Sequence, residues 1–131
     1  MHITLETDYA VRIVDYLAGL SEIRDAGAIS ENTGVSLRFS LKILRALAEK
    51  GIVRSYKGSK GGYILAREPG EITLLEVIEA TEGRYKFSRC LDSGFPCSNT
   101  CRNACKFYAV YDEISEMVRD RLSTVTFMSR E

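Results

Sequence analysis

Four cysteines in the C-terminal third of the chain are the most concentrated group of reactive side chains in the sequence. They lie within 16 consecutive residues, at successive separations of 7, 4 and 4: Cys90, Cys97, Cys101 and Cys105. Gly94 and Pro96 lie between the first two and favour irregular backbone that can wrap a metal centre. Thiolates are ligands for iron–sulfur clusters, Zn²⁺ and Cu(I). The Cys-x-x-x-Cys spacing is looser than the Cys-x-x-Cys of zinc ribbons, which disfavours structural zinc, and thiols without any metal are a further alternative.

Basic side chains are concentrated in the middle of a chain whose formal net charge is zero. Residues 36–67 carry 8 basic and 1 acidic side chains, whereas residues 1–35 carry 2 and 6 and residues 68–131 carry 8 and 11. A local excess of this kind is the electrostatic signature of nucleic-acid binding, which the overall average hides. The sequence therefore predicts that the central segment faces DNA.

The N-terminal part of this basic segment has the pattern of a helix-turn-helix. One helix is predicted from about Asp25 to Thr33 and a second from Ser36 to Gly51, with Asp25 and Ser36 as their N-caps and Gly34 in the turn between them. On the second, the recognition helix, three cations share one face: Arg38, Lys42 and Arg45. The opposite stripe is predicted to be apolar and docked on the core: Leu37, Leu41, Leu44, Leu47 and Ala48. Such a helix can present polar groups to base edges and phosphates, although a solvated amphipathic helix is the alternative.

A basic hairpin is predicted directly after the recognition helix. Two extended runs, residues 52–56 and 63–66, flank a loop with three glycines in six residues, 57–62. A basic, glycine-rich hairpin in this position can act as a wing that reaches the adjacent minor groove. The predicted DNA contacts are Ser36, Ser40 and the three cations Arg38, Lys42 and Arg45 on the helix, with Arg54, Lys57, Ser59 and Lys60 in and near the hairpin.

Three further helices are expected around this unit. The first spans about residues 7–20, and Thr73 opens a capping-box helix that Gly83 closes. Residues 84–105 are predicted to be irregular, and a long helix follows from about residue 104 to residue 125. Its apolar stripe is larger than one small core needs, so we expect part of it to pair with a second copy of the chain: Phe107, Tyr111, Ile114, Val118, Leu122 and Val125.

Several sequence blocks in a fixed order resemble a known family. They are residues 39–47 (FSLKILRAL), 51–58 (GIVRSYKG), 60–63 (KGGY), 72–80 (ITLLEVIEA) and 82–83 (EG). The chain resembles the bacterial iron–sulfur-cluster regulators, a family of winged-helix transcription factors with IscR-type and nitric-oxide-sensing NsrR-type members. The resemblance implies a mainly α fold: a winged helix-turn-helix with a two-stranded β-hairpin wing and a long C-terminal dimerisation helix. The expected divisions are a DNA-binding domain (1–83), a cysteine-rich cluster-binding loop (84–105) and the dimerisation helix with its tail (106–131).

The same resemblance assigns roles to individual residues. It implies that three cysteines hold a two-iron or four-iron cluster, with a fourth as an alternative ligand: Cys90, Cys97 and Cys105, then Cys101. It also implies that Asp8, in the first helix of the partner subunit, can fill the remaining coordination position. An acid stabilised by the dipole of its own helix is the other interpretation of Asp8.

The expected function is a homodimeric, cytoplasmic regulator that binds a palindromic operator in double-stranded DNA under the control of the cluster. The alternative is a winged-helix repressor without a cluster, controlled by thiol redox state, structural zinc or a partner protein. The sequence has a single histidine and neither a phosphate-binding loop after a strand nor a carboxylate–histidine constellation, so an enzyme is disfavoured. No apolar run approaches the roughly 20 residues of a membrane span, and no membrane or small-molecule substrate is expected as a partner.

Overall fold

The fold is described for residues 2–92 and 105–128 of a computed structural model. This part of the chain contains five α-helices and one antiparallel hairpin. They are α1 (Leu5–Ala18), α2 (Ala26–Thr33), α3 (Leu37–Glu49), β1 (Val53–Tyr56), β2 (Gly62–Leu65), α4 (Leu74–Glu82) and α5 (Lys106–Ser123). Short 3-10 turns lie at Pro69–Glu71 and Arg89–Leu91. The architecture is the predicted winged helix, and no helix in the described ranges combines the length and apolar character that crossing a membrane requires.

Side-chain caps determine where the helices begin. Asp25, Ser36 and Thr73 each accept a hydrogen bond from a backbone N–H in the first turn of the following helix, as predicted. Thr73 and Glu76 complete the predicted capping box of α4. Because Thr4 caps α1, that helix begins about two residues earlier than predicted. The turn between α2 and α3 is set by Gly34, whose φ of 73° is in the left-handed region that favours glycine.

The core is built mainly from one face each of α1, α3 and α4, and α2 and β1 contribute further buried side chains. Its fully buried side chains include Ile13 and Leu17 of α1, Leu44 of α3 and Val77 of α4. The C-terminal segment after α5 returns to this core, where Phe127 packs against it. The backbone N–H of Leu74 donates to Val125 O at 2.8 Å, and Phe127 N donates to Pro69 O at 3.1 Å. The segment that follows α5 is therefore part of the same packed unit as the helix-turn-helix.

The buried face of α3 differs from the predicted apolar stripe. The buried residues of the helix are Ser40, Ile43, Leu44 and Leu47. Leu37 and Leu41 were expected to dock on the core, but their side chains are exposed by 50% and 42%. The prediction was wrong at these two positions because the helix is rotated so that Ser40 and Ile43 point inward instead.

The hairpin is anchored to the body of the protein at its base. Arg24 and Tyr63 exchange backbone hydrogen bonds of 3.0 and 2.8 Å, so the segment before α2 lies beside β2. A Cβ on Gly62 would lie 2.4 Å from Arg24 O, and one on Gly61 would lie 2.2 Å from Tyr56 O. These two positions therefore require glycine for steric reasons. A hydrogen bond from the Arg24 guanidinium to Glu22 raises the pKa of Arg24.

The segment that follows α4 runs along α5. Arg84 pairs with Glu116 at 3.1 Å, and Phe87 N donates to Ser115 Oγ at 2.8 Å. The Phe87 ring lies 5.4 Å from that of Tyr111. These contacts progress toward the N-terminal end of α5 as the chain advances toward the cysteines.

Candidate nucleic-acid interface and metal centre

The outward side of α3 presents three exposed cations, Arg38, Lys42 and Arg45, which we call the cationic face. Within the described ranges, Arg38 and Arg45 form no salt bridge or side-chain hydrogen bond. Lys42 Nζ lies 3.4 Å from Glu6 Oε2 of α1, and its side chain remains two-thirds exposed. Exposed pairs of this kind contribute only about 0–1 kcal/mol, so a phosphate can replace Glu6 at little cost.

The two serines predicted to contact DNA have structural roles in the turn. Ser36 Oγ accepts a hydrogen bond from Phe39 N at 3.2 Å as the cap of α3, and this residue is exposed. Ser40 is fully buried, and its hydroxyl donates to Val35 O at 3.4 Å, which also accepts from Ser30 Oγ. The prediction for Ser40 is therefore corrected: its hydroxyl stabilises the turn and does not reach the outer surface. Its spacing of three and four residues from Ile43 and Leu44 was the signal for this burial.

All four polar residues predicted in the hairpin are exposed: Arg54, Lys57, Ser59 and Lys60. The hairpin is held directly against the end of α3. Ile52 N donates to Leu47 O at 3.0 Å, and Ala66 N donates to Ile52 O at 2.9 Å. The basic hairpin and the cationic face are thus joined by a short, hydrogen-bonded connection that limits their relative movement.

A set of contacts that the sequence did not predict links α1 to the helix-turn-helix. The guanidinium of Arg12 lies 3.0 Å from Asp8 Oδ2, donates to Thr33 O at 3.1 Å and stacks over the Tyr9 ring at 5.2 Å. The Tyr9 ring in turn meets Phe39 of α3 edge-on at 5.8 Å. The signal in the sequence was the four-residue spacing of Asp8 and Arg12, with the acid first, which is typical of a helical ion pair.

The structure describes two of the four cysteines, while Cys97 and Cys101 lie outside the described residues. Cys90 lies in the 3-10 turn that packs on α5, where its Sγ accepts a hydrogen bond from Ser88 Oγ at 3.1 Å. Cys105 is the N-cap residue of α5, and both cysteines are half-buried. Within the described ranges no group of three His, Cys, Asp or Glu side chains is placed to hold a metal ion.

These thiols fit the donor chemistry of an iron–sulfur cluster as far as the described residues extend. A half-buried thiolate is accessible to iron and partly shielded from water, and a hydroxyl hydrogen bond to sulfur is a common means of tuning such a centre. Asp8 is exposed and paired with Arg12, so its carboxylate can ligate a metal only by giving up or sharing that cation.

One side of α5 carries apolar side chains that its own chain leaves partly uncovered. Tyr111, Val118 and Leu122 of the predicted stripe are half-buried. Three apolar residues of α5 are exposed, and with the half-buried Ile114 they follow a spacing of 3, 4 and 3. We call these four residues the outer face of α5: Phe107, Val110, Ile114 and Met117. This spacing is that of a helix–helix seam. The predicted stripe therefore contains both exposed and half-buried residues of this side of α5.

The comparisons with known proteins agree with this geometry. The profile of the Rrf2 family, described as an iron-dependent transcriptional regulator, matches residues 3–129. Protein aau3 of Rhizobium meliloti is 37% identical over 95 residues, which are 72% of this chain and 62% of that protein. The HTH-type transcriptional regulator NsrR of Shouchella clausii is 32% identical over 120 residues, covering 86% of this chain and 76% of NsrR. IscR of Klebsiella pneumoniae is 30% identical over 128 residues, covering 96% of this chain and 77% of IscR.

Solved structures share the fold along nearly the whole chain. The T. potens IscR structure has a TM-score of 0.71 at 22% identity, covering 97% of this chain and 83% of that one. CymR, the global cysteine regulator of B. subtilis, has a TM-score of 0.71 at 21% identity, covering 97% and 93%. At this level of identity the likeness shows the winged-helix fold. The matched part of this chain spans less than two thirds of Protein aau3 and about three quarters of the curated NsrR and IscR relatives.

Proposed function

Because the chain belongs to the Rrf2 family of transcriptional regulators, we propose that it acts as a homodimer on a palindromic operator, with an affinity set by an iron–sulfur cluster. The family and the curated IscR and NsrR relatives are regulators of transcription, so the chain is a DNA-binding winged-helix regulator and not an enzyme. The residues that contact DNA, the dimer and the cluster are the parts of the proposal that follow.

The proposed DNA surface rests on one observation. The exposed cationic face of α3 lies beside a hairpin that is hydrogen-bonded to the end of this helix. In our proposal α3 enters the major groove and its cations contact base edges and phosphates. The hairpin cations contact the adjacent backbone or minor groove: Arg54, Lys57 and Lys60. Ser59 in the same loop and Ser36 at the start of α3 are exposed, and their hydroxyls can donate hydrogen bonds to phosphate. Ser40 is not included because it is buried.

The outer face of α5 supports the proposed homodimer. An apolar seam at the surface is stabilised when a symmetry-related copy covers it, and a two-fold axis makes the same patch serve both subunits. Two copies of α3 would then read half-sites about one helical turn apart on one face of DNA, which is why the operator is expected to be palindromic.

The residues that would hold a cluster are Cys90 and Cys105 with Cys97, with Cys101 as the alternative, and Asp8 of the partner subunit at the remaining position. A bound cluster would supply a thiolate-held iron centre that is sensitive to oxidants and nitric oxide. The half-buried position of Cys90 and Cys105, at the two described ends of the cysteine segment, supports this assignment.

The contacts of Arg12 explain how ligation at Asp8 could reach the DNA surface. Arg12 binds both the Asp8 carboxylate and Thr33 O at the C-terminal end of α2. If the Asp8 carboxylate binds a metal, Arg12 loses or shares its ion-pair partner. The position of its guanidinium then changes, and with it the hydrogen bond to Thr33 O beside the turn of the helix-turn-helix. A tenfold change in operator affinity needs only about 1.4 kcal/mol of differential stability between the two states.

The test is a comparison of operator affinity for cluster-loaded and cluster-free protein at one salt concentration, after anaerobic purification. We expect a broad absorption band near ~400 nm, iron and sulfide in the purified protein, and different affinities for the two forms. Equal affinities would contradict cluster control while leaving DNA binding intact.

A cluster-free regulator is the second candidate, favoured by the same half-buried thiols, which an oxidant or zinc can also reach. Colourless anaerobic protein with stoichiometric zinc would support structural zinc. Colourless protein without metal would support redox control if its operator affinity changes with a thiol reductant. If its operator affinity changes only when another protein is added, control by a partner protein is supported.

A further inference from the structure

Two leucines stand exposed on the recognition helix without a role in the fold. Leu37 and Leu41 are one helical turn apart, are exposed by 50% and 42%, and are absent from the packed core and its margin. Phe39 of the same helix is also exposed, but its ring packs edge-on against Tyr9. The two leucines are therefore the apolar side chains of α3 that the folded chain leaves unexplained.

The neighbours of these leucines identify the kind of surface that covers them. On an α-helix with 3.6 residues per turn, Leu41 lies about 40° around the axis from Arg45 and about 60° from Arg38. Leu37 lies about 40° beyond Leu41 and about 80° from Arg45. A partner that contacts the cationic face therefore also meets Leu41, and it meets Leu37 at its edge. A second copy of the same surface would bring like charges together, whereas a polyanion that carries apolar groups between its charges is complementary.

Duplex DNA is such a partner, and its major groove has one apolar group on a base edge, the C5-methyl of thymine. We propose that Leu37 and Leu41 contact thymine methyl groups in the major groove and thereby select thymine at defined positions of each half-site. This inference rests on the proposed placement of α3 in the major groove and adds to it the class of base that the helix selects.

The physical basis is a difference between bases at one position. A leucine against a thymine methyl removes apolar surface of both from water. The same leucine against cytosine faces a C5–H in place of the methyl, so less apolar surface leaves water and the contact is weaker. Since leucine has no polar atom, this selection adds no hydrogen bond of its own, and the cations beside it supply the non-specific affinity.

The size of the effect follows from the group that is removed. Replacing thymine by deoxyuridine deletes only the methyl group, and burying one such carbon is worth about 0.8 kcal/mol, which is about four-fold in affinity. Leu41→Ala should remove the same sensitivity, so that the effects of the two changes are not additive at the contacted base.

The experiment begins with selection of binding sites from random duplexes by the full-length wild-type protein. Each selected thymine is then replaced by deoxyuridine and the affinity is measured at constant salt for wild type, Leu37→Ala and Leu41→Ala. Leu5→Ala is the matched control, because it shortens a leucine that is exposed by 60% but lies on α1. The proposal predicts a loss of about four-fold at one or two thymines per half-site for wild type and Leu5→Ala, and no loss at those thymines in the corresponding α3 variant.

Three outcomes would overturn the inference, and the first two are distinct from a failure of DNA binding itself. If the selected sites contain no constant thymine, or if every deoxyuridine replacement stays within two-fold for the wild type, leucine does not select thymine although the chain binds DNA. If the alanine variants keep the full wild-type sensitivity, another side chain contacts the methyl group. If no sequence is selected and no duplex is bound, the proposed DNA surface fails as well. The wild-type series needs no variant, so a misfolded variant does not remove the test.

Discussion

Replacing Met117 by glutamate tests whether the outer face of α5 joins two copies of the chain. Met117 is exposed by 63% and lies on that face one turn from Ile114. Fully burying a methionine stabilises by about 1.5–3 kcal/mol, so burying the exposed two thirds contributes roughly 1–2 kcal/mol per copy. A symmetric interface uses the residue twice, which gives roughly 2–4 kcal/mol or a 30- to 700-fold weaker dimer, before the cost of burying two carboxylates is added.

The assay is sedimentation velocity of wild type and variant at the same low micromolar concentrations. Met128→Glu is the matched control, because this methionine is exposed by 65% but lies beyond the end of α5. Methionine and glutamate have similar helix propensities, so α5 should remain helical, which circular dichroism can verify. Wild-type protein that is monomeric, or a Met117→Glu variant that dimerises as strongly as wild type, would refute the assignment of this face.

Five other substitutions test the remaining surfaces. Losing a phosphate contact in Arg38→Ala or Lys57→Ala should make the negative slope of log affinity against log salt shallower by about one unit, measured by salt titration of operator binding. Unchanged slopes in both variants would mean that the surface is misassigned. Cys90→Ala should abolish retention of the cluster, measured by anaerobic spectra and iron analysis, whereas Cys101→Ala should lose less of it. The reverse order would mean that Cys101 is a ligand and Cys90 is the alternative. Gly61→Ala should distort the hairpin, because its Cβ would lie 2.2 Å from a backbone oxygen; a melting temperature and operator affinity equal to wild type would contradict this.

Local chemistry explains which parts of the fold were predictable. Asp25, Ser36 and Thr73 were identified as caps from side chains that hydrogen-bond within one turn, and Gly34 from the left-handed residue that the turn requires. These features depend on residues close in sequence. The contact of Phe127 with the core depends on pairing across more than fifty residues with Pro69 and Ile72, and no local pattern reports it.

The faces of α3 and α5 could not be assigned from residue type alone. A ranking by hydrophobicity places Leu41 inside and Ser40 outside, whereas the structure does the reverse. Ser40 is buried at no great cost because Val35 O accepts its hydroxyl, and that acceptor becomes available only once the turn has formed. On α5 both the face that packs on its own chain and the outer face are apolar, so periodicity could not separate them.

The position of α1 suggests why a small event at the cysteine site could change DNA binding. Glu6 pairs with Lys42 of the cationic face, Asp8 pairs with Arg12, and Tyr9 contacts Phe39. Three side chains near the start of one helix thus link the proposed ligand Asp8 with the recognition helix. Each contact is exposed or partly exposed and contributes about 1 kcal/mol or less, which is the size of change that alters operator affinity several-fold. Under the proposed cluster control, exchange of a few weak contacts along α1 would therefore be enough to change DNA binding, without rearrangement of the core.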